Sequence, residues 1–235
     1  MHTYVSEFLG TMILIILGDG VVANCTLNKS SMKGSGSVQI TWAWGFAVMI
    51  PAFIFGNSSG ALFNPALTVA LAIDGSLKWS LVPGYVIAQL LGAFAGACIM
   101  WVMFMDHFNA TEDQKTVLGC FATTPSIRNI PRNVFCEAVA SFILVFAIKG
   151  IDQVEGLVTG MKFVYLFGII SSIGMSLGGL TGYAINPARD LGPRLAHQLL
   201  PIKTKGPSGW DYAWVPVAGS LAGSIAAVLL YRWIF

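Results

Sequence analysis

The chain has 235 residues, of which 55% are hydrophobic and 10% are charged. Soluble domains carry about 25% charged residues, so this composition excludes ordinary soluble and disordered proteins. The formal net charge of +2 is too close to zero to indicate nucleic acid as a partner. A mean hydropathy of +0.72 together with 26 glycines is typical of an integral membrane protein in contact with the lipid bilayer.

Six segments are apolar enough to be transmembrane helices, which need about 20 predominantly apolar residues. Two of them begin with an acid: Glu7 precedes the apolar run Phe8 to Leu17, and Glu137 precedes Ala138 to Ile148. The other four contain no Asp, Glu, Lys or Arg: Val38 to Phe55, Leu81 to Met105, Phe163 to Ala188 and Tyr212 to Tyr231. The sequence therefore predicts an all-α membrane protein with six transmembrane helices.

Two further segments, Gly56 to Gly75 and Gly178 to Leu200, are apolar and glycine-rich but too interrupted to be single spans. Their length favours re-entrant loops with short half-helices, which membranes tolerate only where the backbone is buried in protein or lines a cavity. Two long surface loops are a weaker interpretation, because Leu62, Phe63 and Leu67 would then lie in water.

The two halves of the chain repeat each other. The sequence Gly60-Ala-Leu-Phe-Asn64-Pro-Ala is echoed by Gly182-Tyr-Ala-Ile-Asn186-Pro-Ala, each after the second span of its half. Each half has an odd number of spans, so the second copy must be inverted in the membrane, with its interrupted helix facing that of the first copy. We expect one channel domain over residues 1–235, with repeats at about 1–105 and 133–235 joined by a loop at about 106–132.

Close helix contacts are predicted within each repeat. Gly92-x-x-x-Gly96 lies in the third span and Gly219-x-x-x-Gly223 in the sixth. Small residues at this spacing let two helix backbones approach each other in a membrane.

Each repeat contains the triplet Asn-Pro-Ala, whose members are Asn64, Pro65, Ala66, Asn186, Pro187 and Ala188. Asn is a favoured N-cap and Pro is preferred at the first helical position, so half-helices are predicted from Pro65 to about Ala72 and from Pro187 to about Ala196. Packed N-terminus to N-terminus, they would direct two positive dipole ends at one point and oppose cations there. The two Asn amides would remain able to donate to a neutral oxygen atom.

On these motifs, and above all on Gly182-Tyr-Ala-Ile-Asn-Pro-Ala-Arg-Asp190, the chain resembles the major intrinsic protein family across nearly its full length. It is most similar to the bacterial glycerol-facilitator (aquaglyceroporin) branch. The resemblance implies a right-handed bundle of six tilted helices and two half-helices that assembles as a homotetramer. It also implies a passive channel for glycerol and related small neutral solutes that passes water and excludes ions and protons. No enzyme activity, cofactor or metal is expected.

The resemblance further implies a selectivity filter formed by Trp44, Gly174, Tyr183 and Arg189. The two rings would face carbon-bound hydrogens while Arg189 donates to hydroxyl groups. Gly174 stands where water-selective relatives carry histidine, and would leave room for a three-carbon solute. Two positions depart from the usual glycerol-facilitator pattern: Tyr183 replaces the usual Phe, and Leu62 stands where His is often found.

Acidic residues are expected to support the loops. By resemblance, Glu7 and Glu137 accept hydrogen bonds from the re-entrant loops, and Asp190 orients the turn around the filter arginine. The histidines offer no metal-ligand spacing and are interpreted as solvated or interfacial: His2, His107 and His197.

Two alternative functions stay open. One is a channel mainly for water or for another small neutral solute, such as dihydroxyacetone, urea, hydrogen peroxide or protonated lactic acid. The other is a proton-coupled transporter that works through Glu7 or Glu137.

Membrane orientation is predicted in two conflicting ways. The resemblance implies a cell-membrane protein with cytoplasmic termini. The positive-inside rule favours the opposite orientation, because fewer basic residues lie on the side of the termini. That side has Lys78, Lys149, Lys162 and Arg232, against Lys29, Lys33, Lys115, Arg128, Arg132, Lys203 and Lys205 on the other.

Overall fold

The computed structural model of the chain describes residues 2–158 and 160–235, and these residues form helices and loops without a β-strand. In chain order the helices are α1 (His2–Thr26), α2 (Ser37–Ser59), α3 (Pro65–Asp74), α4 (Val82–Met103), α5 (Met105–Asn109), α6 (Gln114–Gly119), α7 (Ile130–Ile151), α8 (Met161–Thr181), α9 (Pro187–Leu199) and α10 (Trp214–Ile234). A single 3₁₀ turn, Trp79–Leu81, leads into α4. Helices α1, α2, α4, α7, α8 and α10 are long and apolar enough to cross a membrane. The chain is therefore a multi-pass membrane protein, and the six predicted spans are confirmed.

The ends of the spans differ from the prediction. Helices α1 and α7 begin more than one turn before Glu7 and Glu137, so both acids lie inside a helix instead of opening it. Helix α8 ends at Thr181, because Gly182 takes a left-handed conformation with φ of 82°. The uncharged run Phe163 to Ala188 thus contains a helix and a buried loop, which hydropathy alone does not separate.

Glycines set the distances between the spanning helices. Helix α4 packs on α1, and α10 packs on α7. A Cβ atom added at Gly96 would lie 2.6 Å from the carbonyl oxygen of Met12, and one at Gly219 would lie 2.8 Å from that of Val134. The close contacts predicted from the two Gly-x-x-x-Gly motifs are confirmed.

The two short apolar helices begin at the Asn-Pro-Ala triplets, as predicted. Asn64 and Asn186 are the N-caps of α3 and α9, and a proline follows each at the first helical position. Helix α3 packs against α10, whereas α9 packs against α4. Each half-helix therefore rests on a spanning helix from the other half of the chain, which brings the two triplets together.

The loop between α4 and α7 packs against the end of α9. His197 near that end is fully buried, with its Nδ1 atom 2.8 Å from Oγ of Ser208. Its ring packs edge-on against Phe121. The interpretation of His197 as solvated or interfacial is therefore wrong. The connecting loop buries this side chain, and the sequence of α9 alone does not show which other segment packs against the helix.

Candidate functional site

The two re-entrant loops are bonded to each other through the asparagines of the triplets. Nδ2 of Asn64 donates to the carbonyl oxygen of Ile185, and Nδ2 of Asn186 donates to that of Phe63, both over 2.8 Å. The Oδ1 atom of each asparagine accepts from backbone N–H groups in the first turn of its own half-helix. Each amide thereby caps its helix and joins the opposite loop.

The loop backbones leading to the asparagines are strained in the same way. Ala61 and Phe63 in one loop, and Tyr183 and Ile185 in the other, have φ between 39° and 54°. This left-handed region costs a residue with a side chain about 1–3 kcal/mol, so the surrounding contacts must hold it in place.

Buried carboxylates provide those contacts. Glu7 accepts hydrogen bonds from the backbone N–H groups of Leu62 (3.0 Å) and Phe63 (2.7 Å), and from the hydroxyl of Ser59 (2.6 Å). The equivalent partners of Glu137 are the hydroxyl of Thr181 and the N–H groups of Ala184 and Ile185, at 2.6, 3.1 and 2.9 Å. Each acid therefore fixes the strained loop of its own half.

A cavity of about 330 Å³ passes beside these loops and is lined by Asn64 and Asn186. Its apolar wall includes Val48, Leu67, Leu144, Leu166 and Ile170. Two charged side chains also line it: Lys149, in the last turn of α7, and Asp152, the residue after that helix. Lys149 forms an ion pair with Asp74, at the end of α3, over 3.1 Å.

Three of the predicted filter side chains meet in the wall of this cavity: Trp44, Tyr183 and Arg189. The guanidinium carbon of Arg189 lies 4.3 Å from the centre of the Trp44 ring. This distance allows a cation–π interaction, and only 8% of the Arg189 side chain is exposed. The guanidinium donors of Arg189 thus lie over the Trp44 ring, and the Tyr183 ring lines the same cavity.

Gly174, the fourth predicted filter residue, lies against Tyr183. A Cβ atom at Gly174 would be 2.8 Å from Cζ and 2.9 Å from Oη of Tyr183, and one at Gly178 would be 2.7 Å from Cδ1. Part of the space that the missing side chains leave is therefore occupied by the tyrosine ring. The absence of a side chain at Gly174 therefore leaves room for the Tyr183 ring in the cavity wall.

Asp190, the residue after Arg189, is fully buried and is not among the residues that line the cavity. Oδ2 of Asp190 accepts hydrogen bonds from the N–H (2.9 Å) and hydroxyl (2.6 Å) of Thr123. The same carboxylate forms a fully buried ion pair with Arg194 over 2.8 Å. Arg194 also donates to the carbonyl oxygens of Thr123, Ser208 and Gly209. These contacts fasten the connecting loop to α9.

Two residues at this site are absent from the sequence prediction: Asp19 and Arg194. Asp19 is completely buried and pairs with Arg189 over 3.1 Å. The available signals were an acid between two glycines in an apolar helix, and a basic residue four positions after Asp190, the spacing of a helical ion pair.

The comparisons with known proteins agree with this geometry. The family model "Major intrinsic protein" matches residues 1–231. A probable glycerol uptake facilitator protein of Thermotoga maritima is 46% identical over 235 residues, covering 100% of both chains. A glycerol uptake facilitator protein of Streptococcus pneumoniae is 42% identical over 231 residues, covering 98% of both. The X-ray structure of the aquaglyceroporin from Plasmodium falciparum superimposes with a TM-score of 0.85 at 30% identity, covering 98% of this chain and 94% of that one. The chain belongs to the major intrinsic protein family.

Proposed function

We propose that this protein is a passive channel for glycerol and related small neutral solutes, and that it also passes water. The observation that carries the proposal is the pairing of Arg189 with the ring face of Trp44, 4.3 Å away, in the wall of a cavity that contains both triplet asparagines. The names of the relatives in Thermotoga and Streptococcus support the same solute.

The cavity offers a polyol both kinds of contact that it needs. The side chain of Arg189 has five N–H donors, and both of its hydrogen bonds to described residues come from Nη1. The remaining donors are available to hydroxyl groups, while Trp44 and Tyr183 face the carbon backbone. Further along, Leu67 and Ile170 continue the apolar wall. A solute with hydroxyls on one side and carbons on the other matches this arrangement.

Exclusion of cations and protons follows from the charges around the triplets. Helices α3 and α9 both begin at the cavity, and the N-terminus of a helix carries about half a positive charge. Arg189 adds a full positive charge to the same region. Asn64 and Asn186 each use one amide hydrogen on the opposite loop, which leaves the second hydrogen for a passing oxygen.

The coupled-transporter alternative finds little support in the contacts of the two acids. Glu7 accepts from four partners, Ser59, Leu62, Phe63 and Gln89. Glu137 is similarly occupied by the second loop. Neither carboxylate is among the residues that line the cavity. Acids committed to loop N–H groups favour a structural role over proton transfer.

The remaining expectations belong to the same proposal. We infer a homotetramer in the cell membrane with cytoplasmic termini, and two inverted repeats at about residues 1–105 and 133–235. Chemical cross-linking of the purified protein, and labelling of single cysteines from either side of intact cells, test assembly and orientation separately.

Stopped-flow light scattering on reconstituted vesicles tests the permeant. Each vesicle batch is exposed in turn to gradients of sucrose, glycerol, urea and lactic acid at equal protein content. We expect fast, non-saturating glycerol entry that ignores an imposed pH gradient. Glycerol entry no faster than in empty vesicles would refute the proposal, and entry driven by a pH gradient would support the coupled transporter.

A further inference from the structure

A carboxylate lies directly behind the filter arginine. Oδ1 of Asp19, on α1, accepts a 3.1 Å hydrogen bond from Nη1 of Arg189, a residue 170 positions away. Asp19 is fully buried and is not among the residues that line the cavity. Its second oxygen has no hydrogen-bond partner among the described residues. Arg189 is therefore the side chain with which Asp19 pairs among the described residues.

Gly18, the residue before Asp19, lies against Trp44, the ring that pairs with Arg189. A Cβ atom at Gly18 would lie 2.7 Å from Cε3 of Trp44, and closer still to two other carbons of the indole. Gly20, two positions later, has room for a Cβ, whose nearest contact would be Phe104 at 4.0 Å. Two consecutive residues of α1 thus contact the Trp44–Arg189 pair: Gly18 packs against the indole, and Asp19 accepts a hydrogen bond from the guanidinium.

Charge explains why an acid is useful at this position. Arg189 stands near the N-termini of α3 and α9, so three sources of positive potential converge on the constriction. A small carboxylate ion matches a free guanidinium through paired hydrogen bonds. Without compensation, such an anion would bind in the constriction and block it.

We propose that Gly18 and Asp19 form a second layer of the selectivity filter. Asp19 offsets part of the charge of Arg189, so that the filter does not retain small anions while the N-termini of α3 and α9 still oppose cations. Gly18 determines how far the Trp44 indole extends into the cavity. Both are positioning residues that act through side chains lining the cavity. The inference rests on the proposed channel function for its transport tests, but its stability test is independent of any permeant.

Asp19→Asn tests the charge, because the amide oxygen still accepts from Arg189. Glycerol flux is measured at neutral pH in sodium formate and in sodium gluconate, whose anion is too large for the filter. At a formate concentration close to the dissociation constant of formate for the variant, we expect the glycerol flux of Asp19→Asn to be about half of its flux in gluconate. Wild type should have the same glycerol flux in both salts. A variant equally insensitive to formate would overturn the role of Asp19.

A thermal-stability cycle tests the same pair without transport. Arg189→Gln leaves a buried carboxylate unpaired, so its melting temperature in detergent should fall well below that of wild type. Adding Asp19→Asn removes that charge and should recover most of the loss. A double variant no more stable than Arg189→Gln alone would show that Asp19 does not compensate Arg189, even if glycerol were the wrong solute.

Gly18→Ala tests the support of Trp44, with Gly20→Ala as its matched control in the same helix. The added methyl group displaces the indole toward the cavity, so glycerol permeability should fall more than water permeability. Gly20→Ala should leave the ratio unchanged. Equal ratios in the two variants at equal abundance would contradict the proposed role of Gly18.

Discussion

The side chain of Asn64 donates a 2.8 Å hydrogen bond to the carbonyl oxygen of Ile185, the residue that precedes the second triplet. The reciprocal bond runs from Asn186 to Phe63. The asparagine of each half therefore has two tasks, since it starts its own half-helix and fixes the loop of the other half.

Asn64→Asp and Asn186→Asp should each lower both the yield of folded protein and glycerol flux. A carboxylate facing a carbonyl oxygen loses the donor and repels it, and an unsatisfied buried group costs about 1–3 kcal/mol or more when charged. Flux per folded protein in vesicles measures the effect, with Asn109→Asp as an exposed control. Wild-type flux and yield in both variants would contradict the assigned position of the triplets.

Glu7→Gln and Glu137→Gln should destabilise the protein more than they change its selectivity. Glutamine replaces one acceptor oxygen by a donor that faces loop N–H groups such as those of Phe63 and Ile185. We expect a loss of about 1–3 kcal/mol in each variant, seen as a lower melting temperature. The exposed Glu112→Gln serves as control. A wild-type melting temperature together with abolished transport would instead support the proton-coupled transporter.

Arg194→Gln should loosen the connecting loop. Arg194 is fully buried, pairs with Asp190 and donates to Thr123. Removing one partner of a buried ion pair costs about 3–5 kcal/mol. We expect a lower melting temperature and earlier proteolysis in the loop, whereas the exposed Arg132→Gln should behave as wild type. Unchanged melting in Arg194→Gln would exclude the anchoring role.

The features that the sequence predicts correctly are those that a short segment of the sequence specifies by itself. Hydropathy identifies six spans, and Asn64 and Asn186 followed by proline mark where α3 and α9 begin. The pairing of Asp19 with Arg189 joins residues 170 positions apart and has no such signal. The position of Tyr183 over Gly174 depends on a left-handed backbone conformation that composition does not encode.

Gly174→His tests the filter most directly. The Cβ atom of the new side chain would lie 2.8 Å from Cζ of Tyr183, so the tyrosine ring must move, and the imidazole adds its own volume behind it. The ring lines the cavity together with Trp44 and Arg189, so a displacement toward the cavity would narrow the passage. One methylene group of misfit in an apolar site changes discrimination by about 1–3 kcal/mol, and we expect glycerol permeability to fall about tenfold or more. Water permeability should fall much less, because a water molecule needs less width.

The measurement for Gly174→His is the ratio of glycerol to water permeability in vesicles with matched protein content. Gly174→Ala should show a smaller change in the same direction, since its methyl group also contacts Tyr183. Gly168→Ala, in the same helix with nothing within 4 Å of the added Cβ, should keep the wild-type ratio. If the two permeabilities of Gly174→His fell together, Gly174 would serve only helix packing. If neither fell, the Tyr183 ring would not limit the passage, and the glycerol assignment would lose the geometry on which it depends.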